Sequence, residues 1–167
     1  MSTSNIEVFY AERSREISNP TRVYALVDGL LYGEANGGQV PERSEQCIAL
    51  FDGTPDASLA DAGPWLIDYA AAPGTVRGAL AAQAAGSTGV SWLISAYQIA
   101  ALADNLRDNL DVRLPDGRPA LLRFYDARLM PSLAETMSFH QRIQFMVFAF
   151  HWLVEIDGKL SEIGKHA

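Results

Sequence analysis

Residues 121 to 129 read LLRFYDARL, after an amphipathic segment and a Pro115-Asp116-Gly117 turn. Large apolar side chains alternate there with Arg123, Asp126 and Arg128. A solvated loop has no reason to carry that pattern. The segment is therefore expected to be a strand that runs out into a charged corner. Arg123, Asp126 and Arg128 are expected to form a network that pins a hairpin to the start of a helix, since guanidinium forks suit carboxylate oxygens two at a time. The same corner could instead receive an anion.

The rest of the chain is punctuated in a similar way. VYALV at Val23–Val27 and CIALF at Cys47–Phe51 are buried-strand runs, each followed by Asp-Gly. WLIDY at Trp65–Tyr69 follows Gly63-Pro64 and is a third strand, because proline is tolerated at a strand start or edge. Pro73-Gly74 opens an alanine-rich helix over Thr75–Ala85, closed by Gly86 and Gly89. VSWLI at Val90–Ile94 is the next strand. Ser95 and Gln98 have the spacing of a capping box. They precede a helix to about Asn109 whose Ile99, Leu102, Leu106 and Leu110 share one face.

An opening helix over Ile6–Ile17, a hairpin of Val112–Leu114 with Ala120–Tyr125, and a short helix over Leu129–Met137 with Pro131 in its first turn complete the regular elements. FMVFAFHWLVEI at Phe145–Ile156 is so apolar that the period separating helix from strand is erased. Its second half, ahead of Asp157-Gly158, is expected to be a strand. Short strands interleaved with helices, without repeats or linkers, predict one α/β domain of the mixed α+β kind over residues 1–167: a central mixed β-sheet flanked by helices, with a C-terminal hairpin region.

At 167 residues the chain can bury roughly 70% of the surface its unfolded form exposes, and Cys47 is its only cysteine. It can form no intrachain disulfide. Thirteen basic against 20 acidic side chains leave a net charge of −7, which opposes nucleic acid and anionic lipid as partners. The N-terminal MSTSNIEVFYAERSREI lacks the basic stretch and apolar core of a signal peptide. The longest purely apolar run, Phe145–Phe150, has six residues against the ~20 of a spanning helix. A soluble, cytoplasmic protein with neither nucleic-acid nor membrane partner is expected.

Motifs for chemistry are sparse. No HExxH, phosphate loop or GxSxG occurs, and Cys47, His140, His151 and His166 do not have the spacing of a zinc set. Asp28, Asp52 and Asp126 end predicted strands, where carboxylates could converge on a divalent cation. Two of them sit in Asp-Gly turns, where aspartate is favoured for its bonds to the local backbone. The reading is of a protein that is not an enzyme and has no metal or cofactor. A metal-dependent hydrolase using Asp28, Asp52 and Asp126 is one alternative. A small-ligand-binding domain is the other, and it would need a closed apolar pocket of about 300 Å³ or more.

Aromatics gather late in the chain, at Phe139, Phe145, Phe148, Phe150 and Trp152. Most aromatic side chains belong to cores, but a strand in a two-layer domain buries only one face. Phe145, Phe148, Phe150 and Trp152 are therefore the candidate partner-binding residues. The loop Tyr32–Pro41 is the next candidate.

Taken in order, YALVDG at 24–29, LFDGTP at 50–55, LADAGPWLIDY at 59–69 and LADNLRDNLDVRLPDGRPALLRFYDARL at 102–129 resemble the bacterial domain-of-unknown-function family 4123, over a core of about residues 22–156. Members of that family act as adaptor chaperones for type VI secretion effectors. The resemblance implies that this chain binds one cognate toxin in the producing cell and promotes its loading onto the valine-glycine repeat spike, without being the toxin. It also implies that Asp28, Gly29, Pro64, Trp65, Arg123, Tyr125, Asp126 and Arg128 are structural motif residues. Ala127 stands where the family motif usually has proline, and HWLVE replaces a region commonly containing FFGP. Many relatives continue into a helical lobe that contacts the effector, and that lobe is expected to be absent or reduced here.

Overall fold

A computed structural model describes residues 3–164. Strands β1 (Arg22–Asp28), β2 (Cys47–Ala49), β3 (Pro64–Asp68), β4 (Val90–Ser95), β7 (His151–Ile156) and β8 (Lys159–Glu162) form one sheet in the order β2-β3-β1-β4-β7-β8, while β5 (Asp111–Arg113) and β6 (Pro119–Leu121) make a separate hairpin. The helices are α1 (Asn5–Arg13), α2 (Gly29–Ala35), α3 (Gly74–Ala85), α4 (Ile99–Asp108), α5 (Met130–Thr136) and α6 (Phe139–Met146). Short 3-10 helices lie at Ser14–Glu16 and Ala57–Ala62. The mixed α+β class, with helices flanking a central sheet, is as expected from sequence.

Because side chains alternate across a strand, the cross-strand register defines two faces. Tyr24, Leu26, Leu66, Leu93, Trp152 and Val154 share one face; Ala25, Ile67, Trp92 and Leu153 share the other. On the first, the Trp152 ring meets Phe124, Phe145 of α6 and Phe148. On the second, α1 is held by Asn5 Nδ2 donating to Glu155 Oε2 at 3.1 Å and by the Phe9 ring edge-on to His151. Leu80 of α3 and Ile6 of α1 are fully buried. Leu102 and Leu106 of α4, four residues apart, are likewise buried, and each contributes about 1.5–3 kcal/mol of apolar transfer free energy.

The β7–β8 hairpin turns on Asp157 and Gly158, both at positive φ (53° and 73°), the signature of the tight turn whose twist matches the flanking strands. Its tip is tied down. Asp157 N–H donates to Gly86 O and Gly158 N–H to Ala84 O, at the end of α3, and Asn5 Nδ2 donates to Gly158 O at 2.8 Å.

Several sequence expectations are revised. The sheet is antiparallel throughout rather than mixed: β3 and β4 do run the same way, but β1 lies between them. The strand expected over Leu121–Leu129 stops at Leu121, and residues 124–129 coil into turns. The Asp126 side chain accepts the Arg128 backbone N–H there, a local bond that competes with extended structure.

No capping box forms at Ser95. Its hydroxyl donates to Phe148 O at 2.6 Å and accepts from Tyr97 N–H, and α4 starts only at Ile99. Asp28-Gly29 is not a turn between strand and loop but the start of α2, which the sequence reading leaves as loop. The stretch before Phe150, where the sequence leaves helix and strand both open, is helical over Phe139–Met146, and the expected strand follows as β7.

Candidate functional site

The motif residues converge on one corner of the sheet. Asp28 ends β1, and its Oδ1 accepts the N–H groups of Leu30 (2.9 Å) and Leu31 (3.2 Å), capping α2. Its Oδ2 accepts from Arg123 Nη2 at 2.8 Å, and the same Nη2 lies 3.5 Å from Asp126 Oδ2. Arg128 grips Asp126 with both edges of its fork, Nε to Oδ1 at 3.1 Å and Nη2 to Oδ2 at 2.9 Å, while its backbone N–H adds a bond of 3.0 Å. Asp28 and Asp126 are buried, and the two arginine side chains are each 46% exposed. The expected Arg-Asp-Arg network is therefore present, and Asp28 extends it to α2.

Gly29 belongs to the corner for steric reasons. A Cβ there would collide with Asp61 O and lie 2.7 Å from Gly63 O and 2.8 Å from Trp65 Nε1. This close approach lets Gly29 N–H donate to Gly63 O at 2.7 Å while Trp65 Nε1 donates to Asp61 O at 3.1 Å. Arg43 covers Trp65, its guanidinium carbon 5.0 Å from the ring centroid, and bridges Asp52 (2.6 Å) and Asp61 (3.0 Å). Pro64 opens β3 opposite Asp28, and the Tyr125 ring stands edge-on to Phe51.

Electrostatics follow this geometry. Burial by itself would raise the Asp126 carboxyl, but the Arg128 side chain and backbone, with Arg123, outweigh it and hold the group below the usual carboxylate range. Arg43 lowers Asp52 in the same direction. Burial pushes the Tyr125 phenol up and the Cys47 thiol up to about 11.

The three aspartates do not converge. Asp28 and Asp126 meet only through Arg123, and Asp52 is turned to Arg43. Among the described residues, no group of three or more His, Cys, Asp or Glu side chains is placed to hold a metal ion. Cys47 is buried, His151 Nδ1 sits 2.9 Å from Glu162 Oε1, and His166 lies outside the described residues. Clefts of about 330 to 490 Å³ are present, and they open to solvent rather than closing over a ligand.

The aromatic surface expected from Phe145, Phe148, Phe150 and Trp152 is corrected. Trp152 is 1% exposed, and Phe145 and Phe148 are buried beside it; Phe150 alone of the four reaches the surface, at 41%. The expectation assumed one open sheet face, whereas helices cover both. The sequence reading missed α2, and with it a shallow cleft of about 330 Å³ lined by Leu30, Gly33, Val40 and Ala62. Leu30 is 54% exposed, and Leu59, on the neighbouring 57–62 turn, is also exposed. The available signal was Asp28 as a cap ahead of GLLYGEA. This cleft overlaps the Tyr32–Pro41 segment.

An antiparallel sheet covered on both faces, with an internally neutralised carboxylate–guanidinium corner at the end of an interior strand, defines an α+β domain whose most ordered polar cluster is architectural. The family model described as Domain of unknown function (DUF4123) matches residues 23–144. The chain belongs to that family. No curated protein and no solved structure matches it, and no helix among the described residues is long and apolar enough to cross a membrane.

Proposed function

We propose that this protein is an adaptor chaperone of the cytoplasm: it binds one cognate type VI secretion effector in the producing cell and promotes the effector's loading onto the valine-glycine repeat spike. Family membership over residues 23–144 is the observation that carries the reading. The corner geometry supports it, because Arg123, Asp28, Asp126 and Arg128 neutralise one another. They brace α2 beside an apolar cleft instead of presenting an unpaired acid or base to a substrate. A binding module needs a few well-supported anchors, not a perturbed catalytic group. The anchors offered are Leu30 and Val40, and the occupant is an apolar segment of the effector.

The test is recovery of the effector from the native cell with the tagged full chain. Leu30→Glu and Val40→Glu change exposed side chains, so they should leave the melting temperature nearly unchanged and cut effector recovery at least tenfold, about 1.4 kcal/mol or more. Undiminished recovery from both folded variants would move the docking surface away from α2, with Phe150 next in line. If the native chain recovers no secreted effector at all, the adaptor reading itself fails.

A further inference from the structure

Arg142 of α6 is only 7% exposed, yet no carboxylate pairs with it among the described residues. Its Nη1 donates to Gly164 O at 3.2 Å and its Nη2 to Ala134 O, while Nε has no partner. Two carbonyls thus use only part of a guanidinium with five N–H donors that stays protonated in proteins. Buried charge without a counter-ion is unfavourable unless something else supplies one.

Arg142 lines an open cleft of about 420 Å³ between the β7–β8 edge and the α5–α6 pair. Val154 and Ile156 of β7 give it an apolar wall, with Ala134 of α5 opposite. Lys159, cross-strand from Ile156, adds a second cation. Two acids also line the cleft: Glu162 is engaged by His151, and Glu135 is exposed on α5. The cleft therefore combines a guanidinium that has N–H donors to spare and no carboxylate paired with it among the described residues with an aliphatic wall.

We infer that this cleft binds a carboxylate carried on a short aliphatic stem, with Arg142 as its anchor. A planar carboxylate matches the guanidinium fork, and its single charge neutralises Arg142. A phosphate would bring greater negative charge against Glu135 and Glu162. Val154 and Ile156 would take the stem, and Lys159 would guide the anion in. The ligand can come as a free short-chain acid or as the C-terminal carboxylate of a peptide, and the inference does not depend on the adaptor reading.

The experiment is a nuclear magnetic resonance titration of the full chain, following the Arg142 Nε–H and the Ser161 and Gly164 amides. The probes are butyrate against butyramide, and a short valine-terminated peptide with a free C-terminus against its C-terminal amide. At least one acid should shift these signals saturably, and the matching amide should not. Butyrate alone acting assigns the free acid, and the peptide alone acting assigns a chain terminus. Arg142→Gln should weaken binding at least about tenfold. Since that buried substitution can disturb folding, Lys159→Glu at the exposed rim serves as the second variant and should weaken binding severalfold. Absence of a saturable shift with either acid, equal shifts with the amides, or unchanged affinity in Lys159→Glu would overturn the inference.

Discussion

Asp126 accepts three hydrogen bonds from Arg128 and one, longer, from Arg123, all charge-assisted and around a buried carboxylate. Asp126→Ala removes them together and should cost about 1 to 3 kcal/mol, read as a lower denaturant midpoint with an unchanged slope. The same residue sets an acid limb. Its folded pKa lies below its unfolded value, so its contribution is complete above the ordinary carboxylate pKa, near 4. That contribution is lost as pH falls through the folded value. Stability should decline below about pH 4 in the native chain, and Asp126→Ala should flatten part of that decline. Cys47 sets an alkaline limb of opposite origin. Burial raises its thiol from 9.0 to about 11, so the unfolded chain ionises first. Stability should therefore fall by up to about 2 to 3 kcal/mol between those values, and Cys47→Ala should remove that step. Both limbs are checked by denaturant titrations across pH.

At the scale of elements, what was legible depended on whether the signal was local. The β7–β8 hairpin could be anticipated because Asp157-Gly158 carries the turn in two residues. The helix α2 could not: it has seven residues, two of them glycine, so its propensity is poor, and its cap sits in an Asp-Gly pair that also reads as a turn. The alternation across Leu121–Leu129 has a different origin from a strand. Phe124, Tyr125, Asp126 and Ala127 are all buried while Arg123 and Arg128 reach around to Asp126, so charge interrupts apolar residues in the sequence without any alternation of burial. Phe148 and Trp152 were misplaced because the cover on a sheet face comes from elements distant in sequence. Their burial gives a clear expectation. Trp152→Ala should cost about 3–5 kcal/mol, seen as a large loss of melting temperature rather than a selective loss of binding to a folded protein.

For the whole molecule, the extent of the family match and the extent of the fold do not coincide. The match ends at residue 144, whereas β7 and β8 supply two strands of the six-stranded sheet and place Trp152 within the aromatic cluster of one face. A chain cut after residue 144 would leave β4 as an unpaired edge and should lose cooperative thermal unfolding; a sharp transition in that fragment would show the two strands to be dispensable. The candidate site was legible in part for a related reason. The carboxylate–guanidinium corner draws on residues near 28 and 123–128, whose chemistry is visible in the sequence, but the cleft beside α2 requires a helix that the sequence conceals. The strand order has a consequence for synthesis on the ribosome. With β1 already flanked by β3, the nascent chain holds β4 with one edge bare until residues 151–156 emerge. At roughly 5–20 residues per second, that edge stays open for several seconds, long enough for neighbouring nascent chains to join it, so the interval between β4 and β7 is the stage of this protein's life most exposed to misassembly.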